Sequence, residues 1–167
     1  SLLSACVDGW FTLPYSVPNY LAPLLGEAPL PLDHEAVGEA VTSVRDRISR
    51  LIAVDGTTGP DRFHRRLGEI LYRGCGVMRS AESLTAALGE VRELRDEFWS
   101  DVRVVGSGAQ FNQELERAGR VADFMELAEV MCLDALDRDE SCGAHFRVEH
   151  QTAQGEALRD DEHWTFA

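Results

Sequence analysis

The amino-acid sequence predicts a mainly α protein: a bundle of three to four antiparallel helices with an irregular amino-terminal strap and an irregular carboxy-terminal tail. Three observations support this fold class. Apolar residues recur at helical spacing in four successive segments between about residues 33 and 136. Short loops, most of them marked by glycine or proline, separate the segments and allow neighbouring helices to run antiparallel. After residue 140 the helical periodicity disappears.

The first 32 residues differ from the rest in composition. Residues 1–11 place apolar side chains at helical spacing, which predicts a short buried helix. Pro14, Pro18 and Pro23 then predict that the chain leaves the helix and continues as an extended strap across an apolar surface. Residues 26–31 read as a linker, so we expect a domain boundary near residues 26–32.

The first two bundle helices have recognisable ends. Asp33 is a suitable N-cap for a helix that continues to about Val54. Pro60 suits the first turn of a second helix, which is expected to end near Tyr72. Its apolar stripe is formed by Phe63, Leu67, Ile70 and Leu71.

Two longer helices follow. Ser80 is expected to cap a helix that extends through Trp99. The last helix is predicted from about Gln110 to Leu136, and its stripe contains several small residues that suit close packing against neighbouring helices. These four helices form the predicted bundle.

Composition excludes several functional classes. The 167 residues suit one ordinary domain, and no apolar run approaches the roughly 20 residues needed to span a bilayer. The formal net charge of −13 repels phosphate backbones and argues against a nucleic-acid role. The start, Ser1-Leu2-Leu3, has neither a basic signal-peptide region nor an initiating methionine, so we expect the chain to be a piece of a longer protein.

The four cysteines, Cys6, Cys75, Cys132 and Cys142, lie far apart in sequence. Their spacing fits no zinc site, because zinc ligands occur in closely spaced Cys or His pairs. We interpret them as structural thiols in a reducing compartment.

No catalytic motif is present, and the sequence predicts no catalytic residues. Gly106-Ser107-Gly108 precedes a helix and could cradle a phosphate, but a plain interhelical loop is the preferred interpretation.

The carboxy-terminal tail concentrates hydrogen-bonding side chains. His145 and His150 are five positions apart and would point to opposite faces of an extended segment, so no metal site is predicted. His145 beside Arg147 could bind a carboxylate substrate, but we favour a hydrogen-bonded anchor of the tail. The acidic run Asp160-Asp161-Glu162 is interpreted as a solvated or arginine-paired turn.

Several sequence segments resemble the carboxy-terminal part of the flavoprotein subunit of succinate dehydrogenase and fumarate reductase. The most specific is Ser141-Cys142-Gly143-Ala144-His145-Phe146-Arg147 with Arg159-Asp160-Asp161-Glu162, in which Cys142 replaces the arginine usual in the family. The segments 8–15, 67–71, 75–84, 111–115 and 120–124 extend the resemblance over nearly the whole chain.

The resemblance implies a function and a set of partners. The family interconverts succinate and fumarate with FAD and transfers electrons to an iron–sulfur subunit. Ser1 and Leu2 match a serine–leucine pair whose helix start contacts the flavin, and free amides at a helix start suit the negative charge of a reduced flavin. The remaining FAD contacts and the catalytic residues are expected upstream, so this chain alone is predicted to be inactive.

The resemblance also implies a division of the chain. Residues 1–26 would end the flavin domain, residues 27–140 would form the helical domain, and residues 141–167 would pack back on the flavin domain. The implied location is peripheral, on the cytoplasmic face of the inner membrane, with a membrane anchor subunit as an indirect partner. Two alternatives remain: an L-aspartate oxidase-type flavoprotein, which has a similar tail, and a free-standing helical interaction module.

Overall fold

A computed structural model of the chain describes residues 6–164. The chain divides into two compact units, residues 1–41 and residues 42–167. The division lies within one helix, α2 (Glu35–Ala53). The predicted boundaries at residues 26 and 140 stay predictions.

The first unit is helical where an extended strap was expected. A π-helical turn (Asp8–Thr12) leads into α1 (Leu13–Leu21), and a 3-10 turn (Ala22–Leu24) follows. The prediction of an extended strap is therefore wrong. Pro14 is the second residue of α1 and Pro18 lies inside it, so both prolines occupy helical backbone, where each removes at most one backbone hydrogen bond.

The predicted buried helix over residues 1–11 is described only in its second half. Residues 1–5 lie outside the described part of the chain. Trp10 and Phe11 are 78% and 66% exposed, so this segment does not bury these two side chains in the chain on its own. Both residues fall in the π-helical turn, and every described helical residue of this unit except the half-buried Val37 is exposed.

Helix α2 starts at a different cap from the one expected. The residue before the helix is His34, not Asp33, and its ring Nδ1 accepts a hydrogen bond from the Ala36 amide at 3.1 Å. An imidazole nitrogen thus satisfies a free amide that a carboxylate was expected to satisfy.

The second unit contains three long helices and one short strand pair. The helices are α3 (Pro60–Gly74), α4 (Ala81–Asp101) and α5 (Gln113–Asp137). Strand β1 (Met78–Arg79) pairs in parallel with β2 (Phe146–Arg147), with Met78 opposite Phe146. The predicted fold class, a mainly α protein built as a helical bundle, is confirmed, whereas the strand pair was not predicted.

The core lies between α3, α4 and α5. The apolar stripe expected on α3 is buried at Phe63, Leu67 and Ile70, and Leu71 packs against it. The rings of Phe63 and Phe98 meet edge to face, with centroids 5.2 Å apart, a favourable arrangement of two aromatic quadrupoles.

A capping box fixes where α4 begins. The Ser80 side chain accepts a hydrogen bond from the Ser83 amide, and the Ser83 hydroxyl accepts one from the Ser80 amide, which confirms Ser80 as the cap.

Gly74, at the end of α3, lies so close to α4 that an added Cβ would be 2.5 Å from Cβ of Ala87. Only glycine permits this approach of the two helices.

No helix within residues 6–164 combines the length and the apolar character needed to cross a membrane.

Candidate functional site

Buried polar side chains cluster where α5 ends and the tail begins. Among the residues described, Glu140, Ser141 and Arg147 are the buried polar or charged ones, at 2%, 0% and 3% exposure. We call these three residues, with Arg138 and His145, the tail clasp. A polar group is buried at such a place only when it is hydrogen-bonded, and the partners show what the clasp holds.

Arg147 closes the end of α5. Its Nη1 donates to the carbonyl oxygens of Ala135 and Leu136, both at 3.1 Å, and to that of Arg138 at 3.3 Å. The last carbonyls of a helix have no partner within the helix and carry partial negative charge. A buried guanidinium therefore satisfies them and is itself satisfied. Its charge is also balanced by Asp139 at 3.5 Å and Glu149 at 3.3 Å.

Ser141 holds the backbone of Arg147 in place. The Arg147 amide donates to Ser141 Oγ at 2.8 Å, and Ser141 Oγ donates to the Arg147 carbonyl at 3.0 Å. The chain between the two residues turns at Gly143, whose φ of +60° lies in the left-handed region that glycine adopts easily. The serine and glycine of the motif thus form the loop that returns Arg147 to the helix end.

Glu140 joins both sides of the clasp. Its Oε1 accepts from Arg138 Nε at 2.9 Å, and its Oε2 accepts from the Asp160 amide at 2.8 Å. Burial alone would raise the pKa of Glu140, but the hydrogen bonds from Asp160 and Arg138 outweigh it and hold the pKa below its ordinary value. Glu140 is therefore a charged group inside the fold, and it ties the segment near residue 160 to the end of α5.

His145 is an anchor in this arrangement. Its Nε2 lies 3.0 Å from the Arg138 carbonyl oxygen, so the neutral ring with the proton on Nε2 donates to the backbone. Burial lowers the pKa of His145, although the Arg138 hydrogen bond opposes it, and the nearby charges of Arg79, Arg138 and Arg147 lower it further. This geometry supports the expected anchoring role rather than the binding of a carboxylate substrate.

The tail also contacts the start of α4. The Phe146 amide donates to the Val77 carbonyl, and the Val148 amide donates to the Arg79 carbonyl. Glu149 Oε1 accepts from the Ala81 amide at 2.6 Å, next to the Ser80 cap. The clasp thus connects the end of α5 with the beginning of α4.

The helix cap already takes up amides at the start of α5 that a phosphate would need. Asn112 caps the helix: its Oδ1 accepts from the Glu114 and Leu115 amides, at 3.1 and 3.2 Å. Its Nδ2 donates back to the Val105 and Ser107 carbonyls. Gly106-Ser107-Gly108 is accordingly an interhelical loop that is held by the helix cap.

The acidic run near the end of the tail is paired internally. Arg159 lies 2.6 Å from Asp161, and His163 Nδ1 lies 2.8 Å from Asp160. This matches the expected arginine-paired turn. Within residues 6–164 no group of three His, Cys, Asp or Glu side chains is placed to hold a metal ion.

Ser1 and Leu2, the residues expected to contact a flavin, lie outside the described residues. The one strand pair among residues 6–164 is two residues long, so this part of the chain holds no extended parallel sheet of the kind that binds dinucleotides.

Sequence reasoning missed two clasp residues. The sequence reasoning gave no role to Glu140 or Arg138, although both lie just before the motif that begins at Ser141. Their position directly after a helix end is the signal that could have identified them.

Comparison with known proteins shows which family the chain resembles. The family model for the carboxy-terminal domain of the fumarate reductase flavoprotein matches residues 64–167. The fumarate reductase flavoprotein subunit of Escherichia coli strain K12 is 30% identical over 129 residues, which are 77% of this chain and 21% of that protein. The succinate dehydrogenase flavoprotein subunit of Bacillus subtilis strain 168 is 25% identical over 164 residues, which are 98% of this chain and 26% of that protein.

A solved structure is similar as well. A mutant of the Escherichia coli quinol fumarate reductase chain FrdA aligns with a TM-score of 0.65 and 29% identity, over 78% of this chain and 22% of that chain. The chain thus spans about a fifth to a quarter of the length of these relatives.

Proposed function

From the premise that this chain belongs to the fumarate reductase/succinate dehydrogenase flavoprotein family, whose carboxy-terminal domain it carries, we propose that it supports FAD-dependent interconversion of succinate and fumarate. Its part is to buttress a flavin domain formed by preceding sequence. The catalytic residues and most FAD contacts lie on that sequence, with Ser1 and Leu2 as the contacts from this chain. Electrons pass to an iron–sulfur subunit, and the complex lies peripherally on the cytoplasmic face of the inner membrane, held indirectly by an anchor subunit.

The tail clasp is the observation on which this proposal rests. The segment most specific to the family, residues 141–147, is folded so that Arg147 seals α5 and β2 pairs next to the start of α4. Such a segment is rigid in its own unit and can present the residues after it to a neighbouring domain.

Exposed apolar side chains support a missing neighbour. Helix α5 exposes Leu127, Val130, Met131 and Leu133, each by more than 40%. Between α3 and α5 lies a groove of about 230 Å³ lined mainly by Leu67, Leu71, Phe124, Leu127 and Met131. In the first unit Trp10, Tyr20 and Leu25 are exposed by 78–80%. Exposed apolar side chains in such numbers are typical of surfaces that contact another protein part.

Reconstitution tests the proposal. The chain and the sequence that precedes it in the parent protein are produced separately, mixed, and assayed for association, retained flavin and fumarate reduction by a reduced dye. We expect neither part to reduce fumarate alone and the mixture to do so. An Arg147→Met chain should restore less activity than an Arg73→Met chain, because Arg73 lies in an exposed ion pair.

Two results would contradict the proposal. One is the absence of both association and recovered activity. The other is flavin retention and fumarate reduction by the 167-residue chain alone. Oxidation of L-aspartate by the mixture, without fumarate reduction by the dye, would favour the L-aspartate oxidase alternative.

A further inference from the structure

Two cysteines, one directly after α3 and one on α5, lie in the core of the second unit. Cys75 is the residue directly after α3, and Cys132 lies on α5; they are 8% and 0% exposed and belong to the same core cluster. The Cys75 sulfur lies 3.9 Å from the carbonyl oxygen of Met131, the neighbour of Cys132. Both thiols are free.

A cation lies on the other side of Cys75. Arg79 Nη1 donates to Cys75 Sγ at 3.9 Å, while its Nη2 donates to the Ala144 carbonyl at 3.3 Å. Arg79 Nε is buried and has no hydrogen-bond partner among residues 6–164. A guanidinium that is only partly satisfied beside a thiol favours the thiolate, which is the nucleophilic form of cysteine.

We propose that Cys75 and Cys132 are a redox-active pair that a small hydroperoxide oxidises to a disulfide, with Cys75 as the attacking thiol and Cys132 as the resolving thiol. The pair, rather than either thiol, is the site, because Arg79 hydrogen-bonds Cys75 while Cys132 lies deeper in the core. The 8% exposure of Cys75 suits a reagent as small as hydrogen peroxide better than a bulky disulfide.

The pKa values of the two thiols shift in opposite directions, as expected for an attacking and a resolving thiol. A hydrogen bond from the Cys132 thiol lowers the pKa of Cys75 to about 6, burial opposes it, and the Arg79 charge adds to the lowering. The same hydrogen bond raises the pKa of Cys132, and burial raises it further. Both directions favour Cys75 over Cys132 as the thiol that ionises first.

The reaction balances in two steps. The Cys75 thiolate attacks the terminal peroxide oxygen and the O–O bond breaks, which gives the sulfenic acid of Cys75 and an alkoxide, or hydroxide when the oxidant is hydrogen peroxide. The leaving oxygen takes a proton from solvent, equivalent to the one released when the thiol ionised, and becomes an alcohol or water. Cys132 then gives up its proton, its sulfur attacks the Cys75 sulfur, and water leaves. The peroxide is reduced, the two thiols are oxidised, and the new bond links the end of α3 to α5.

Peptide mapping of the native parent protein tests the proposal directly. The protein is treated with a few equivalents of hydrogen peroxide, its remaining thiols are blocked with N-ethylmaleimide, and it is digested for mass spectrometry. We expect a linked peptide pair containing Cys75 and Cys132 that a reductant separates. Recovery of both residues in alkylated form, or linkage of Cys75 to Cys142 instead, would overturn the proposal.

Variants distinguish the two roles. In Cys132→Ser, Cys75 should accumulate as a sulfenic acid that dimedone traps, whereas in Cys75→Ser no dimedone adduct should form at Cys132. Arg79→Gln should slow the cross-link by about three- to tenfold at neutral pH because less thiolate is present, and Arg79→Lys should restore most of the rate. Arg103→Gln, at an exposed position outside the pair, is the control. Equal rates in Arg79→Gln and the control would contradict the role given to Arg79.

Discussion

Arg147 Nη1 lies 3.1 Å from the carbonyl oxygen of Ala135, a residue twelve positions earlier and on the last turns of α5. A residue of the tail thus completes a helix that it follows in sequence. The guanidinium is 4% exposed as a side chain and replaces water as the partner of the last carbonyls. Helix and tail therefore depend on each other for stability.

Removal of the Arg147 charge should be costly. In Arg147→Met the carbonyls of Ala135 and Leu136 lose their partner in a buried place, so we expect a loss of about 3–5 kcal/mol in the free energy of unfolding. Arg73→Met is the control: it breaks an exposed pair with Glu90 and should cost about 0–1 kcal/mol. Urea denaturation measures both. Similar costs for the two variants would contradict the capping role of Arg147.

Glu140 should make stability depend on acidic pH. Its pKa is lower in the folded chain than the ordinary value of 4.5, so its contribution is complete above that value and is lost as the pH falls through the folded pKa. Glu140→Gln removes this pH-dependent contribution to the free energy of unfolding. The stability difference between wild type and the variant should therefore be largest near pH 7 and shrink below pH 4.5.

Denaturation midpoints between pH 7 and pH 3.5 test this dependence. Glu93→Gln, which changes an exposed carboxylate of α4, is the control and should follow the wild type throughout. A Glu140 difference that stays constant with pH would show that the carboxylate charge is not what stabilises the clasp.

Two glycines of α3 should respond in opposite directions to alanine. At Gly74 the new Cβ would be 2.5 Å from Cβ of Ala87 and 2.9 Å from the Ser83 carbonyl oxygen, so the helices must move apart. We expect a loss of about 1–3 kcal/mol, as for overpacking. At Gly68 nothing lies within 4 Å, and alanine should stabilise by about 0.5–1 kcal/mol. Thermal denaturation measures the stability change in both variants. Changes of the same sign would contradict the close approach of α3 and α4 at Gly74.

The contribution of the α4 cap to stability can be measured by comparing Ser80, at the start of the helix, with Ser100, near its end. Ser80→Ala removes the acceptor for the Ser83 amide and should cost about 1 kcal/mol of unfolding free energy. Ser100→Ala removes only an exposed hydrogen bond to the Glu97 carbonyl, so its effect should stay within about 0.5 kcal/mol. Chemical denaturation compares them, and a Ser100 effect as large as that of Ser80 would argue against the capping box.

The first unit should bind apolar probes. Trp10 and Tyr20 are 78% and 79% exposed, and large aromatic surface in contact with water binds hydrophobic dyes. We expect dye fluorescence with the purified chain and a clear decrease after deletion of residues 1–26. Unchanged fluorescence would favour a self-contained interaction module over a part that packs on a larger protein.

The helices of the second unit follow from local sequence. The stripe of Phe63, Leu67 and Ile70 predicts the buried face of α3, and Ser80 predicts the start of α4. These signals are local, since caps and helical periodicity involve residues within a few positions of each other. Helix α5 starts three residues later than expected because Asn112, rather than a residue near Gln110, provides the cap.

The parts that could not be predicted depend on distant residues. The pairing of Met78 with Phe146 joins strands of two residues, too short for any alternation to be seen in the sequence. Helix α1 was missed because proline was taken to exclude helix, whereas Pro14 and Pro18 both occupy helical backbone. The partners of Arg147 and Glu140 become visible only when the tail has folded back on α5.

The order of synthesis gives the Arg147 contact a further meaning. A ribosome completes all three long helices of the second unit before it adds the residue that seals the last of them. A message cut or frameshifted between Asp137 and Arg147 would therefore yield a product with every helix encoded and the end of α5 open to water. Fraying from that end would make such a product a better protease substrate than the complete chain.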